Sequence, residues 1–415
     1  MMTEYISSEQ IYDALANLPQ LVFEVTDACN LKCKYCIYGE LYEDHDAREN
    51  SMLPIDKAIR LIDYLNQYWN SPRCTSANTY MYISFYGGEA LMNMEFVKAV
   101  VAYIEQLDCP RREFRFSMTT NAILLHRYMD YLVEKKFNLL ISLDGNEYNH
   151  SYRVDHSGRN SFSRVIRNVD LLQERYPEYF RRYVNFNSVL HNRNSVADIY
   201  TFIKQRYDKI PSIGELNNSG IRDDKKQEFN DTYRNTMESL HQAEHYEEIE
   251  NDMFIKGSSY RVFSLYLQRY SGYHFNDYTD LFIDRKQLRY IPTGTCIPFS
   301  RKLFVTVNGK ILPCERIGQQ HYMGVITDDE ILLDVEHITH KYNAYLNKMQ
   351  KQCSTCKNQP GCTQCLYNLE NLENHPVCHG YMNDKLHKQV HNAQMHFLYT
   401  HPDAYRKIME ETITI

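Results

Sequence analysis

Three cysteines near the amino terminus constrain this chain more than any other feature. Cys29, Cys33 and Cys36 follow the spacing Cys-x3-Cys-x2-Cys. Thiolates hold iron–sulfur clusters, and three ligands without a fourth leave one iron of a [4Fe–4S] cluster open to a substrate or cofactor. Zinc sites normally close with four ligands. A structural zinc loop, or three unrelated core thiols, is the alternative interpretation of this spacing.

Composition excludes several function classes. The 415 residues carry a net charge of −7 and are 43% hydrophobic, so a large core is expected. No basic block suggests nucleic acid, and no apolar run is long enough for a membrane span. Residues 1–20 lack the apolar core of a signal peptide, so we expect a cytoplasmic protein. In that setting, twelve Cys favour metal or redox use over disulfides.

Strand-like and helix-like segments alternate through the first half of the chain. The patterns predict strands at 21–25, 80–85, 114–118, 138–143, 183–190 and 211–216. They predict helices at 55–65, 96–107, 122–135, 162–175 and 196–206. Such alternation is typical of a parallel α/β sheet curved into a partial (β/α)6 barrel of the TIM type, over residues 21–216.

Polar or glycine-rich segments follow five of these strands, where barrel enzymes place their chemistry. The segments are the cysteine loop, Tyr86-Gly87-Gly88-Glu89-Ala90, Thr119-Thr120-Asn121, Asp144-Gly145 and His191-Asn192. Their shared position predicts one site at one edge of the sheet.

The second half divides differently. Residues 217–291 read as a helical bridge, 292–385 as a small Cys-rich domain, and 386–415 as a C-terminal helix. An Asn-Gly turn predicts a β-hairpin at 305–312. Seven thiols exceed any core requirement, and zinc and iron–sulfur binding are both open for them. They are Cys296, Cys314, Cys353, Cys356, Cys362, Cys365 and Cys378.

The segment from Val25 to Cys36 resembles the signature of radical S-adenosylmethionine (SAM) enzymes, Cys-x3-Cys-x-aromatic-Cys, with Tyr35 in the aromatic position. The resemblance implies that SAM binds the open iron of a [4Fe–4S] cluster. It also implies that SAM is cleaved to a 5′-deoxyadenosyl radical, which abstracts hydrogen from a substrate carbon, and that the fold is a partial (β/α)6 barrel.

The C-terminal cysteines resemble the SPASM extension of radical SAM enzymes, with one departure: two residues instead of three separate Cys362 from Cys365. The resemblance implies two auxiliary [4Fe–4S] clusters. A distal cluster would use Cys353, Cys356, Cys362 and Cys378. A proximal cluster would use Cys296, Cys314 and Cys365, with no Cys as its fourth ligand. Cys74 and Cys109 fall outside both patterns and are expected to be core thiols.

The same resemblance implies a set of SAM-binding residues. Gly87, Gly88 and Glu89 would receive the methionyl ammonium, although Ala90 stands where the family usually has Pro. Ser142 and Arg153 would contact the ribose or carboxylate region, because Arg suits bidentate carboxylate binding. Weaker candidates are Asn121 and Asn187. A helix-capping and surface cluster around Ser142 and Arg153 is the alternative.

Glu315 directly follows Cys314, where sulfatase maturases of this type carry an acidic residue, normally Asp. A proton acceptor, a substrate-orienting contact and a salt bridge with Arg316 are all open for it.

Three functions are therefore weighed. The first is a maturase that modifies a ribosomally made precursor peptide, with a thioether as the favoured cross-link and a flavodoxin or ferredoxin as electron donor. The second is an anaerobic sulfatase maturase, which converts Cys or Ser to formylglycine. The third is a non-enzymatic zinc-binding interaction module.

Overall fold

The computed structural model describes residues 3–76, 80–256, 260, 262–264, 266, 267, 291–358 and 362–414. The chain divides into two compact units. The first comprises residues 9–246 and 297–335, and the second comprises 1–8, 247–296 and 336–415. Each unit is described by itself.

The strands of the first unit form one sheet. They are β1 (Gln20–Glu24), β2 (Tyr80–Tyr86), β3 (Glu113–Thr120), β4 (Asn138–Ser142), β5 (Val184–Val189), β6 (Ser212–Gly214), β7 (Leu303–Val305), β8 (Lys310–Leu312), β9 (Gly324–Ile326) and β10 (Ile331–Leu332). The order across the sheet is β10-β9-β8-β7-β1-β2-β3-β4-β5-β6. Strands β1 to β6 are parallel neighbours in chain order.

Helices connect these parallel strands. Those of the first unit are α1 (Ser8–Ala16), α2 (Ile55–Trp69), α3 (Met94–Gln106), α4 (Leu125–Glu134), α5 (Phe162–Arg175), α6 (Pro177–Tyr183), α7 (Val196–Tyr207), α8 (Lys226–Thr232) and α9 (Thr236–His241). A parallel neighbour requires a crossover connection, and a helix lies in each crossover between β1 and β6. The predicted α/β class and partial (β/α)6 barrel are confirmed.

The two faces of the barrel sheet differ in polarity. On one face Ser84 lies beside Ser117, and Asn187 lies between Ser142 and Ser212. The opposite face is apolar and packs against helices, as in the edge contact of Phe23 with Phe96 of α3. Polar residues in register on the inner face leave the interior suited to a polar ligand.

Two helices were not predicted. Helix α1 precedes β1, and α6 occupies the residues directly before β5. The expected strand from residue 183 therefore starts one residue later, at Val184. Pro at the first position of α6 favours helix initiation, and the buried Tyr179 and Phe180 anchor that helix. Thr119 and Thr120, expected after the third strand, are its last two residues.

The predicted hairpin forms around the turn that ends at Gly309, where the backbone takes φ +79°. Its first strand, β7, also pairs with β1 in parallel, so the hairpin extends the barrel sheet. Strands β9 and β10 continue that extension and had no clear signal in the sequence.

The second unit is helical in the residues described. Its helices are α10 (Tyr246–Met253), α11 (Val335–Cys353), α12 (Asp384–Thr400) and α13 (Pro402–Thr414), the first and second of these beginning at the unit boundary. The prediction of a single helix over 386–415 is wrong, because the chain breaks at His401 before Pro402. Proline lacks an N–H and disfavours helical geometry in the preceding residue.

Side-chain amides tie the N-terminal residues to the long helix of this second unit. The Asn343 carboxamide accepts from the N–H groups of Tyr5 and Ile6 and donates to the Ile6 carbonyl, and Asn347 binds Thr3 in the same way. A separate apolar cluster joins Phe254 to the C-terminal helix.

The bridge predicted at 217–291 is described only in part. Helices α8 to α10 lie within it, whereas 257–259, 261, 265 and 268–290 lie outside the described residues. A search of the described residues found no helix with the length and apolar character needed to cross a bilayer.

Candidate active site

The cysteine loop follows β1, and main-chain hydrogen bonds hold it against the segment after β4. Lys32 N donates to the Val154 carbonyl at 2.7 Å, and Lys34 N donates to the Tyr152 carbonyl at 3.1 Å. The thiols of Cys29, Cys33 and Cys36 are close enough to influence one another electrostatically. The structure therefore brings together the three residues that the spacing singles out.

Burial raises the pKa of the Cys29 and Cys33 thiols to about 12 and also raises that of Cys36. A metal must displace these protons to bind, and its charge offsets the burial that disfavours thiolates. No three His, Cys, Asp or Glu side chains converge on a single ion among the described residues. Ligands of an iron–sulfur cluster bind different irons and do not need to converge in that way. The donor set fits such a cluster.

The glycine pair after β2 makes backbone contact with the cysteine loop. Gly88 N donates to the Thr26 carbonyl at 2.8 Å, and Glu89 N donates to the Ala28 carbonyl at 2.9 Å. A Cβ at Gly87 would collide with the Thr26 carbonyl, and one at Gly88 with the Ala28 carbonyl. Only glycine permits this close approach. As a result, the backbone that follows β2 lies beside the cysteine loop.

Glu89 is a buried carboxylate, 2% exposed. It accepts hydrogen bonds from the Thr120 hydroxyl at 2.5 Å and from Asn121 N at 2.7 Å. Burial raises its pKa, while these hydrogen bonds lower it. Within the described chain no Lys, Arg or His lies at ion-pair distance from it, so a bound cation such as an ammonium would satisfy its charge.

Asn121 stands beside the cysteine loop. Its amide donates to the Asn30 side chain at 2.7 Å and lies 3.9 Å from the Cys29 sulfur. On the other side, His156 Nε2 lies 2.8 Å from the Cys29 carbonyl. The structure places Asn121 next to Cys29, and its contact with SAM stays a prediction.

Ser142 and Asn187 are paired neighbours on the inner face of the barrel. Ser142 closes β4 and is buried, whereas Asn187 is half-buried. Both lie near the edge of the sheet at which the cysteine loop begins, because parallel strands end at the same edge. Their roles toward SAM stay predictions.

Arg153 forms a buried ion pair with Asp144, with N···O distances of 2.9 and 3.1 Å. The Tyr35 hydroxyl donates to the same carboxylate. Burial, the largest influence, raises the pKa of Asp144, but the Arg153 guanidinium, His191 and His150 together outweigh burial and hold that pKa well below its usual range. Arg153 therefore has an internal partner, and its contact with the SAM carboxylate stays a prediction. The alternative of a surface cluster is wrong for Arg153, which is buried.

Glu315 pairs with Lys302, whereas the salt bridge left open for it as one of three roles was with Arg316. Lys302 Nζ lies 3.0 Å from the Glu315 carboxylate, because the β7–β8 hairpin brings the residues that flank its two strands together. Burial, the largest influence, raises the pKa of Glu315, but Lys302, a backbone hydrogen bond and the charge of Arg316 together outweigh burial and lower the pKa overall. Glu315 also lies 3.7 Å from the Cys314 sulfur, where burial raises the thiol pKa to about 12.

Four cysteines of the second unit gather at the end of α11. Burial, with smaller contributions from the thiols of Cys362, Cys378 and Cys356, raises the pKa of Cys353 to about 12. The Cys356 sulfur also accepts from Met382 N at 3.4 Å. These are the four residues expected to bind the distal cluster.

Cys296 and Cys365 are a second pair of neighbours in this unit, since the Cys296 thiol raises the pKa of Cys365 after burial. The Tyr342 hydroxyl donates to the Cys296 carbonyl at 2.8 Å. Cys314 belongs to the first unit. The three-cysteine proximal cluster stays a prediction.

The two remaining cysteines, Cys74 and Cys109, are buried as expected of core thiols.

Two side chains of the site have no assignment from the sequence. Asp144 is there only a polar residue after a strand, and Lys302 has no signal. No short spacing identifies them, since each gains its role from a contact with a distant segment.

Comparison with known proteins adds to this geometry. Residues 23–205 match the family model described as the radical SAM superfamily, so this part of the chain is a radical SAM domain.

Two sulfatase-maturating relatives illustrate the sequence similarity. The cysteine-type anaerobic sulfatase-maturating enzyme of Clostridium novyi is 24% identical over 198 residues, which are 46% of this chain and 49% of that enzyme. The serine-type enzyme of Bacteroides thetaiotaomicron is 25% identical over 192 residues, which are 45% of this chain and 43% of that enzyme. The chain thus spans about half the length of these relatives.

A solved structure, native anSMEcpe with bound AdoMet, has the same fold. It superposes with a TM-score of 0.56 at 18% identity, covering 94% of this chain and 98% of that one. The chain therefore resembles radical SAM maturases in both sequence and fold.

Proposed function

We propose that the chain, which carries a radical SAM domain at residues 23–205, is a SAM-dependent enzyme that modifies a peptide. One observation carries the proposal. The cysteine loop, the glycine pair and the buried Glu89 meet at one edge of a barrel whose inner face is polar. When bound there, a reduced [4Fe–4S] cluster and SAM supply a 5′-deoxyadenosyl radical for hydrogen abstraction.

The residues of this edge have distinct tasks in the proposal. Cys29, Cys33 and Cys36 hold the cluster, and Tyr35 fixes their loop to Asp144. Glu89 receives the SAM ammonium on a carboxylate to which the described residues supply no cation. Ser142, Asn187 and Asn121 line the inner wall beside it. This arrangement orients SAM against the open iron.

Glu315 acts on the substrate. Its ion pair with Lys302 keeps the carboxylate ionised, so it can accept a hydrogen bond from a peptide. The adjacent Cys314, with Cys296 and Cys365, would hold a proximal auxiliary cluster, and the four thiols near α11 a distal one. We propose that residues 292–385 form a SPASM domain and that the enzyme contains three [4Fe–4S] clusters.

The favoured reaction is oxidative cross-linking of a ribosomally made precursor peptide, with a thioether as the bond. A cytoplasmic flavodoxin or ferredoxin would supply electrons. Auxiliary clusters suit this reaction, because the substrate radical must lose an electron as the new bond closes.

Sulfatase maturation is the second candidate and has specific support. Both relatives compared above are sulfatase-maturating enzymes, and an acidic residue follows Cys314, as the resemblance implies for that group. The two candidates share every step up to hydrogen abstraction and differ in the product.

Mass spectrometry of peptides after anaerobic turnover distinguishes them. A thioether link removes two hydrogens and keeps the cysteine sulfur, whereas formylglycine formation from cysteine removes the sulfur and leaves an aldehyde. The test uses the reconstituted enzyme with a Cys-containing precursor peptide and with a sulfatase peptide. An unchanged mass for both peptides, with SAM consumed, would contradict peptide modification.

A further inference from the structure

A cavity of about 630 Å³ lies within the second unit, beside the end of α11, and opens to solvent. Its lining includes Lys348, Lys351, Gln352 and Thr355 from α11 and the turn after it, and His375 and Tyr381 from the segment 374–381. Pockets that bind ligands measure roughly 300–1,000 Å³, so this cavity has room for a few side chains of a bound peptide.

The charge of this lining has one sign. Two ammonium groups, of Lys348 and Lys351, and the imidazole of His375 line the cavity, and no carboxylate does. Both lysines are exposed. Within the described ranges, no Asp or Glu side chain lies at ion-pair distance from either ammonium group. The cavity, named here the lysine cavity, is therefore complementary to a negatively charged ligand.

Lys348 is held in place before any ligand binds. Its Nζ donates to the Glu373 carbonyl at 2.7 Å and to the Leu372 carbonyl at 3.3 Å, and it lies 5.1 Å from the centre of the Tyr345 ring. The Glu373 carboxylate accepts instead from the Tyr345 hydroxyl. An ammonium group has three N–H donors, so one remains for a ligand. Because the charge is already fixed, little entropy is lost when it binds.

Hydrogen bonds also join the two walls of the lysine cavity. Gln352 Nε2 donates to the Cys378 carbonyl at 3.3 Å, and the Tyr381 hydroxyl donates to Thr355 Oγ1 at 3.4 Å. The Thr355 hydroxyl in turn donates to the Gln352 carbonyl at 3.0 Å. Tyr381 is still 37% exposed. The walls are thus fixed, polar and partly aromatic, which suits a peptide backbone as well as charged side chains.

The spacing of the two lysines matches that of acidic residues in an extended peptide. Residues three positions apart on a helix, as Lys348 and Lys351 are, have Cβ atoms about 5–6 Å apart. In an extended chain, every second side chain points to the same face, and two such side chains are about 6.6–6.8 Å apart. Glu or Asp at alternating positions would present one carboxylate to each lysine.

We propose that the lysine cavity binds an acidic, extended segment of the peptide substrate, separate from the residue that is modified. This inference rests on the proposed function. Two carboxylates of the segment pair with Lys348 and Lys351, and the Gln352 and His375 side chains contact the peptide beside them. The cavity therefore selects substrates by charge, and the chemistry takes place elsewhere on the enzyme.

The first test measures peptide binding by calorimetry with the full-length, reconstituted protein. The probe is an acetylated nine-residue peptide with Glu at alternating positions, beside the same peptide with Gln at those positions. The variant is K348Q/K351Q. The matched control is K385Q/K388Q, which removes two exposed lysines of α12 with the same three-residue spacing. Lys351→Gln alone serves as a milder variant, since it leaves the hydrogen bonds of Lys348 intact.

We expect the wild type and the control to bind the Glu peptide, with an affinity that falls as the salt concentration rises. K348Q/K351Q should bind it roughly tenfold more weakly and Lys351→Gln roughly threefold more weakly. Equal binding of the Glu and Gln peptides, an equal loss in the control, or no binding by the wild type at up to about 1 mM peptide would overturn the proposal.

A second measurement connects the cavity to the substrate. For a precursor peptide with an acidic segment that the wild type modifies, K348Q/K351Q should raise KM by roughly tenfold and leave kcat unchanged. An unchanged KM would overturn the proposal. A loss of 5′-deoxyadenosine release with flavodoxin as reductant but not with dithionite, at unchanged peptide binding, would also overturn it, because the cavity would then receive the electron donor.

These outcomes are separate from those of the proposed function. If the wild type binds the Glu peptide but releases no 5′-deoxyadenosine from SAM, the proposed function fails and the substrate role of the cavity fails with it. If the wild type modifies a precursor peptide and the K348Q/K351Q variant modifies it with the same KM, only the role of the lysine cavity fails.

Discussion

Asp144 connects three segments of the candidate site through one carboxylate. It pairs with Arg153, accepts from the Tyr35 hydroxyl of the cysteine loop, and accepts from Val189 N of β5 at 3.0 Å. The group is fully buried, so each of these contacts acts in a low dielectric, and loss of one partner leaves a charge without compensation. Asp144 therefore positions the cysteine loop against the strand ends.

We predict that Asp144→Asn destabilises the protein by about 3–5 kcal/mol, because Arg153 then stays buried without its counter-ion. The free energy of unfolding in urea measures this. Asp170→Asn is the matched control, since Asp170 pairs with Arg206 in an exposed position and should cost less than about 1 kcal/mol. Equal losses for the two variants would contradict the account.

His150 has a defined tautomer in the same region. Its Nδ1 accepts from Asp144 N at 3.3 Å, and its Nε2 lies 3.0 Å from the Ser161 hydroxyl. The Ser161 hydroxyl already donates to the Arg153 carbonyl, so His150 Nε2 must be the donor. A second proton on Nδ1 would face an N–H group. Burial, together with Arg153, lowers the pKa of His150 to about 3 despite the attraction of Asp144.

This predicts a loss of stability in acid. The folded state keeps His150 neutral, whereas the unfolded chain takes a proton below pH 6.5, so stability falls as the pH drops from 6.5 toward 3. Between pH 7 and pH 5 the wild type should lose about 2 kcal/mol more than His150→Gln. Urea unfolding of both proteins at the two pH values checks this, and parallel losses would contradict it.

At the residue scale, local spacing made the cysteines predictable, because a cluster loop needs its ligands within a few residues. Gly87 and Glu89 were predicted only from the resemblance to radical SAM enzymes, because a Gly-Gly-Glu segment by itself indicates no more than a turn. The Asp144 network and the Lys302–Glu315 pair depend on contacts across strands. Glu315 pairs with Lys302 and not with Arg316 because of the hairpin geometry, and the neighbouring residues in the sequence give no sign of it.

The β7–β8 hairpin is the element that leads into Glu315, which follows its second strand. Its turn requires a positive φ at Gly309, and Gly309 N donates to the Thr306 carbonyl at 2.9 Å. A Cβ on Gly309 would lie 2.6 Å from the Ile326 carbonyl of β9. The hairpin thus depends on this glycine for its conformation and for its packing.

Gly309→Ala should therefore lower the free energy of unfolding by more than the strain of a positive φ alone would. Gly158→Ala is a close control, because Gly158 has φ +80° and open space around its Cβ position. We expect about 1 kcal/mol for Gly158→Ala and roughly 1–3 kcal/mol more for Gly309→Ala. Thermal or urea unfolding of the two variants measures these losses. Equal losses of stability would show that the Ile326 contact is unimportant.

At the element scale, periodicity identified the six barrel strands and most of their helices, since each strand buries one apolar face. It missed α6, because a seven-residue helix directly before a strand is too short to show its own helical repeat of apolar residues. It also missed that β7 pairs with β1, because parallel pairing between residues so distant in the chain has no local signal.

For the whole molecule, the cysteines are distributed between two units. The radical SAM loop and Cys314 belong to one, and the six other C-terminal cysteines belong to the other. The resemblance to SPASM enzymes predicted a separate domain at 292–385, whereas the hairpin within it joins the barrel sheet. The bounds of the predicted domain at 292–385 stay a prediction. Sequence motifs identify candidate ligands, whereas a structural unit is defined by its contacts.

The central claim is that the N-terminal cysteines hold a cluster that cleaves SAM. The most direct measurement is 5′-deoxyadenosine release from SAM by the anaerobically reconstituted, reduced protein, with the C29A/C33A/C36A variant beside it. The account predicts release by the wild type and none by the variant, which should keep the iron and visible absorbance of the proposed C-terminal clusters. Release of 5′-deoxyadenosine by the triple variant, or none by an iron-loaded wild type, would contradict it.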